Sequence, residues 1–197
     1  MEIAKGVKAE DYIKLDLSDY KNSDWQIAVD YFDKRITDRF LEPIKVLQDF
    51  ENEKLAIDKK FGFTILAIDF LLVETLQSFI EGKTNTDQKS RKIFKRFLRE
   101  RDSFKPYFIK DFDPEDFYIN FRCGILHQAQ TFGNTKVWAV GELIRKVGEY
   151  TIVNRELFHT FLLNEYENYK RNLLKQIDVK LMGKFKLKMD FISGNNK

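Results

Sequence analysis

Cysteine is almost missing from this chain. Cys123 is the only one in 197 residues, so no intrachain disulfide can form. Histidine is nearly as scarce, with His127 and His159 alone; His159 reads as lying on a helix without a metal-ligand set, and no zinc site is visible. No metal site and no cofactor are therefore expected. Charge of one sign is also lacking: 34 Lys and Arg stand against 31 Asp and Glu, and a net charge of +3 gives no global field that would dictate a nucleic-acid or membrane partner. The first residues, MEIAKGVKAEDY, lack the apolar stretch of a signal peptide. With the lone cysteine, this leads to the expectation of a reducing, cytoplasmic setting. The longest nearly uncharged run, 61–80, contains Asp69 and Glu74, which suits a helix buried in protein better than a membrane span. There is no P-loop, no GxGxxG after a strand and no GxSxG elbow, so nucleotide hydrolysis, dinucleotide redox chemistry and α/β-hydrolase chemistry have no support.

What is present is apolar and aromatic. A hydrophobic share of 43% over this length supports one domain, 1–197, with a real core. Nineteen phenylalanines, with no recognisable base-stacking motif, point to core filling.

Tyr12 to Leu17 alternates with period two and reads as a short strand. Ser23 with Gln26 forms a capping-box pattern, and Trp25, Ala28, Val29, Phe32, Ile36, Phe40 and Leu47 recur at helical spacing, with Pro43 expected to kink the helix near its end. Residues 48–60 read as a helix tail and a loop. Phe63 to Glu81 is apolar nearly all round and ends at Gly82, the pattern of a central helix. Ser90 to Arg101 places Ile93, Phe94, Phe97 and Leu98 on one stripe and Arg91, Lys92, Lys95, Arg96 and Arg99 around the rest. That basic face is either a solvated surface or a rail for RNA phosphates. Asp113-Pro114 marks another helix start, running past His127. Val137 to Val140 and Tyr150 to Val153 read as a hairpin. Asn154 caps a helix over 155–175, and Lys184 to Ile192 alternates like a half-buried strand before a frayed end. The expected class is mainly α with a minor β part: a helical core over about 24–132, a hairpin over about 137–153, a C-terminal helix over about 155–175 and short terminal strands.

The chemistry concentrates in Phe121-Arg122-Cys123-Gly124-Ile125-Leu126-His127-Gln128. Arg122 is a permanent cation that grips phosphate bidentately, and His127 can exchange a proton near neutral pH. Five positions of ideal α-helix separate them by roughly 140° around the axis, so convergence needs a distortion near Gly124, the reach of the Arg side chain, or a second copy of the helix. Asp69 and Glu74 are carboxylates in an apolar helix and should be paired, with Glu74 a candidate partner for Arg122 or His127. Cys123 as a nucleophile lacks a third partner, and His159 reads as a surface or packed histidine.

The RxxxxH element on a late helix, after a long apolar helix with embedded acids, resembles the HEPN superfamily. Gly62-Phe63, Ala67-Ile68-Asp69, Glu74-Thr75-Leu76, Phe79, Gly82 and Arg122 to Ala129 resemble uncharacterised bacterial HEPN-like proteins in particular, over roughly residues 25 to 135. The resemblance implies an antiparallel bundle of four or five helices, often a homodimer, in which paired motifs meet and cut RNA without a metal ion. Arg122 would hold the scissile phosphate and His127 would transfer the proton, with Glu74, Asp69 and Cys123 in support. Active members commonly carry Asn, Asp or His directly after the Arg, where this chain has Cys123. The alternative is thus a non-catalytic homodimeric module binding nucleotide, RNA or a protein partner. Phage defence or a toxin system, with an antitoxin or regulatory protein as partner, is the setting the resemblance implies.

Overall fold

A computed structural model of the protein describes residues 1–53 and 60–195. The chain opens with a two-stranded antiparallel ribbon, β1 (Glu2–Ala4) and β2 (Val7–Lys8), and a short helix, α1 (Ala9–Ile13). The strand expected over 12–17 is not formed. Tyr12 and Leu17 point inward and Ile13 is exposed, so the alternation in the sequence does not correspond to two faces.

The first long helix runs as α2 (Asp24–Ile36), a π-helical turn (Thr37–Leu41) and α3 (Glu42–Glu53). Proline at 43 lacks an N–H and its ring crowds the carbonyl four residues back, and the wider π turn just before it makes room without ending the helix. The expected loop lies outside the described residues from 54 to 59, as do residues 196–197 at the end.

Helix α4 (Gly62–Glu81) is the central element, packed by α5 (Ser90–Glu100), α9 (Arg155–Leu174) and α10 (Val179–Ser193). It is long and apolar enough to cross a membrane, yet more than half of it is buried inside the fold. Gly82 ends it in the left-handed conformation, as its position in the sequence predicts. A short helix, α6 (Lys105–Phe108), leads to α7 (Pro114–Phe117), a second π segment (Tyr118–Cys123) and α8 (Gly124–Gln128), which form one continuous helical rod. Asp113 caps α7 by accepting from the Glu115 N–H, and Asn154 caps α9 by accepting from the N–H groups of Glu156 and Leu157.

The small sheet differs from the expected hairpin. β3 (Thr135–Trp138) pairs in parallel with β5 (Tyr150–Asn154), and the antiparallel partner of β5 is β4 (Ile144–Val147), in the order β3-β5-β4. Only the two residues Gly148 and Glu149 separate β4 from β5, and Gly148 has φ +58, so a tight turn there commits these two strands to each other. The expected C-terminal strand is also overturned, because residues 179–193 are helical. Met182, Phe185, Met189 and Ser193 are buried at helical spacing, while Leu187 and Phe191 face outward. Asp178 and Gly194 cap this helix at its two ends, signals that outweigh the period-two alternation of lysines. The chain thus has more helices than the four or five expected.

One continuous core runs from Ile3 to Met189. Phe32 touches the rings of Phe79, Phe185, Tyr166 and Tyr169, tying α2 to α4, α9 and α10. Phe70 meets Phe94, Phe117 and Phe158, tying α4 to α5, α7 and α9. Each buried Phe side chain stabilises the fold by about 1.5–3 kcal/mol, so this ring network does the work that disulfides do elsewhere.

The rod closes on itself after α8. Ala129 takes φ +54, its N–H and that of Gln130 return to the Gly124 carbonyl, and a Cβ at Gly124 would sit 2.5 Å from the Gln130 carbonyl oxygen. Helix propensity favours Ala over Gly, but the approach here is to rigid backbone. Gly124→Ala is expected to destabilise the protein by about 1–3 kcal/mol; a chemical denaturation midpoint at or above that of the wild type would refute this.

Candidate active site

Three helices bring the site together. α4 supplies Glu74, the first residue of α5 supplies Ser90, and the π segment with α8 supplies Tyr118, Arg122, Cys123 and His127. In the π segment the Gly124 N–H reaches back five residues to the Ile119 carbonyl. This wider winding turns Arg122 relative to the residues that follow, and its long side chain closes the rest of the gap to His127. The distortion expected near Gly124 therefore lies just before it.

Every nitrogen of the Arg122 guanidinium is engaged. Nε donates to Glu74 Oε1 at 2.8 Å, Nη1 to His127 Nε2 at 3.1 Å and Nη2 to Ser90 Oγ at 3.1 Å, and the guanidinium lies 5.3 Å from the centre of the Tyr118 ring. A guanidinium has no acceptor, so His127 Nε2 accepts here and its proton sits on Nδ1. Arg122 and Glu74 are 11% and 15% exposed, whereas His127 is exposed. The cluster thus has a buried ionic base and an imidazole open to solvent. The Tyr118 hydroxyl lies 3.5 Å from Ser90 Oγ, and burial raises its pKa above the ordinary phenol value, with Ser90 and Arg122 opposing that rise. Cys123 is half-buried beside this phenol. A guanidinium fixed on one side by a carboxylate keeps two of its five N–H groups for an outside anion, next to a histidine able to move a proton.

Asp69 is not part of this cluster. It is fully buried and accepts from His159 Nδ1 at 2.8 Å, joining α4 to α9. Its Oδ2 has no hydrogen-bond partner among the described residues, and desolvation pushes its pKa up to about 6 even though the bond to His159 pulls the other way. Asp69 and Glu74 are five residues apart and serve different partners. The support role expected of Asp69 at Arg122 and His127 is corrected to a structural pair with His159.

The basic helix α5 is largely neutralised. Arg91 and Lys95 both pair with Glu115, Arg96 with Glu81 at 2.8 Å and Glu100 at 3.7 Å, and Arg99 with Asp113 at 3.7 Å. Five cations face four carboxylates, and Lys92 alone has no ion pair among the described residues. The sequence does not show this because Glu81, Asp113 and Glu115 come from neighbouring segments.

Ser90 and Tyr118 carry no strong functional signal in the sequence. Tyr118 stands four residues before Arg122, a spacing that puts ring and cation on one helix face, whereas Ser90 reads only as a helix start. Among the described residues, no three His, Cys, Asp or Glu side chains gather as metal ligands. Comparison with protein-family models, with curated proteins and with solved structures gave no match.

The buried Asp69 yields a pH dependence. Its carboxyl is protonated more readily in the folded than in the unfolded chain, so its contribution to stability is greatest below about pH 4 and is lost as pH rises through about 6. Asp69→Asn should therefore gain stability relative to wild type between pH 4 and 7, by up to about 3 kcal/mol. Urea denaturation of both proteins across that range checks this; a difference that stays constant with pH would contradict it.

Proposed function

We propose that the protein is a metal-independent endoribonuclease of the HEPN type, with Arg122 and His127 as its catalytic pair. The reading is carried by the convergence of these two side chains, 3.1 Å apart, with the imidazole open to solvent. A phosphodiester oxygen would accept from the free N–H groups of Arg122 and draw Nη1 away from His127. The released Nε2 would then take the proton of the 2′-hydroxyl. The 2′-oxygen attacks phosphorus, the bond to the 5′-oxygen breaks, and the products are a 2′,3′-cyclic phosphate and a 5′-hydroxyl that has gained a proton. Positioned proton transfer contributes roughly 10²- to 10⁴-fold, and a fixed cation complements the charge that develops on the phosphoryl oxygens.

Each chain offers one histidine here, whereas the reaction needs a base and an acid. A homodimer would supply both. Its support is an outward stripe on α4, with Phe63 and Leu71 exposed at 39% and 45% and Ala67 and Ile68 half-buried between them, leading to Glu74. The HEPN-like bundle, RNA as substrate, and control by an antitoxin or regulatory protein in phage defence or a toxin system belong to the same reading. A non-catalytic binding module is the second reading, favoured by the three Arg122 contacts already made within the chain and by Cys123 in place of a stronger hydrogen-bonding side chain.

Purified protein incubated with mixed RNA in EDTA tests the proposal. Wild type should release fragments ending in cyclic phosphate, and His127→Ala and Arg122→Ala should each lose about 10²-fold or more while keeping the circular dichroism of the wild type. Arg122→Lys covers the case in which the alanine variant leaves Glu74 buried and unpaired. Equal residual cleavage in all variants would mean a contaminating nuclease and defeat the assignment.

A further inference from the structure

Two cations without an ion pair among the described residues, Lys136 and Arg145, lie beside aromatic rings on the small sheet. Register places Lys136 and Arg145 on either side of Ile152 on one face, and Trp138, Val147 and Tyr150 share that face. Lys136 Nζ stands 3.5 Å from the centre of the Tyr150 ring, and the Arg145 guanidinium 5.3 Å from the Trp138 ring. Neither Lys136 nor Arg145 makes an ion pair among the described residues, and Glu149 in the adjoining turn bonds Asn134 instead. Trp138 is 41% exposed. The backbone of Gly141, at φ +90, runs directly beneath the Arg145 guanidinium, where a Cβ would be 2.2 Å from Nη1. Arg145 is thereby held against the loop and the indole, with its Nε buried and without a hydrogen-bond partner.

We infer that this face of the β3-β5-β4 sheet binds single-stranded RNA, with Trp138 and Tyr150 stacking on bases and Lys136 and Arg145 meeting phosphates. The inference takes its RNA from the proposed function but stands on different residues. An exposed indole and a half-buried phenol ring interleaved with unpaired cations suit a flexible polyanion with flat apolar bases, because stacking tolerates any base and the cations follow the backbone. A duplex is a poorer fit, since its base faces are already stacked. The contrast with α5 decides the location: there four carboxylates already occupy four of the five basic side chains, so phosphates would have to displace them, whereas on the sheet Lys136 lies against a ring and Arg145 against a ring and the Gly141 backbone, with no carboxylate to displace.

The test uses the full chain and a fluorescein-labelled 2′-O-methyl oligouridine of about twelve nucleotides, which lacks the attacking hydroxyl and survives the measurement. Anisotropy titration should show binding that weakens about tenfold in Trp138→Ala, more in Lys136→Glu with Arg145→Glu, and less than about threefold in Trp138→Phe. Trp25 is buried, so quenching of indole emission on titration reports Trp138 directly. Lys136→Glu changes an exposed side chain and keeps the test open if Trp138→Ala fails to fold. Unchanged affinity in Lys136→Glu and Trp138→Ala, or equal displacement of the oligonucleotide by poly-glutamate, overturns the inference, the latter in favour of an acidic protein partner. If the wild type cleaves RNA and these variants bind and cleave like it, this inference fails alone; if binding follows Trp138 but no cleavage occurs, the nuclease reading fails alone.

Discussion

A guanidinium nearly out of solvent must be neutralised and hydrogen-bonded, and Arg122 satisfies that requirement by drawing three separate helices to one point. Glu74 comes from α4, Ser90 from the start of α5, and Tyr118 and His127 from the rod that carries Arg122 itself. None of these contacts forms unless the aromatic core first sets α4, α5 and the rod side by side. Phe70, Phe94 and Phe117 do so, since their rings meet where those helices pack. The site is thus a consequence of core packing and also a constraint on it, because any slip of α4 along its axis would leave Arg122 and Glu74 buried apart.

The two histidines show how environment separates like residues. His159 lies inside, bonded to a carboxylate that burial has made a weaker acid, and links α4 to α9. His127 stands in solvent at the end of the rod, oriented by a cation that cannot accept a hydrogen bond. The first arrangement fixes two helices to each other. The second leaves an imidazole nitrogen one displaced contact away from an incoming proton.

Much of the scaffold is legible in the sequence because its signals are local. Asp113 before Pro114, Asn154 before α9 and Gly82 after α4 are caps, and each satisfies backbone groups within three residues or so. Where sequence reading fails, two periods fit the same short stretch. Lys184 to Ile192 alternates like a strand, yet Met182, Phe185 and Met189 meet the core only when the chain is helical, and Asp178 and Gly194 fix the helix ends. The pairing of β4 with β5 turned on Gly148, whose φ of +58 is not evident until the turn is seen. Arg122 and His127 stood out as residue types, but their meeting depends on the π segment, which has no sequence signal comparable to a cap.

Charge was the least legible property, and the reason is geometric. Along α5 the sequence shows a dense basic stripe, but Glu81 at the end of α4 and Asp113 and Glu115 at the start of α7 fold against it. Charge density in one dimension therefore overstates the potential that helix presents to a polyanion. Lys136 and Arg145 look unremarkable among the polar residues of a small sheet, yet strand register sets them on one face with Trp138 and Tyr150 and leaves the neighbouring acids elsewhere. Surface ion pairs are individually weak and screened by salt, but each must still be broken before its cation can meet a phosphate, and that handicap is absent on the sheet. Which basic residues are available to a partner is accordingly decided by tertiary pairing, which occupies four of the five cations of α5 and leaves Lys136 and Arg145 of the sheet without a carboxylate.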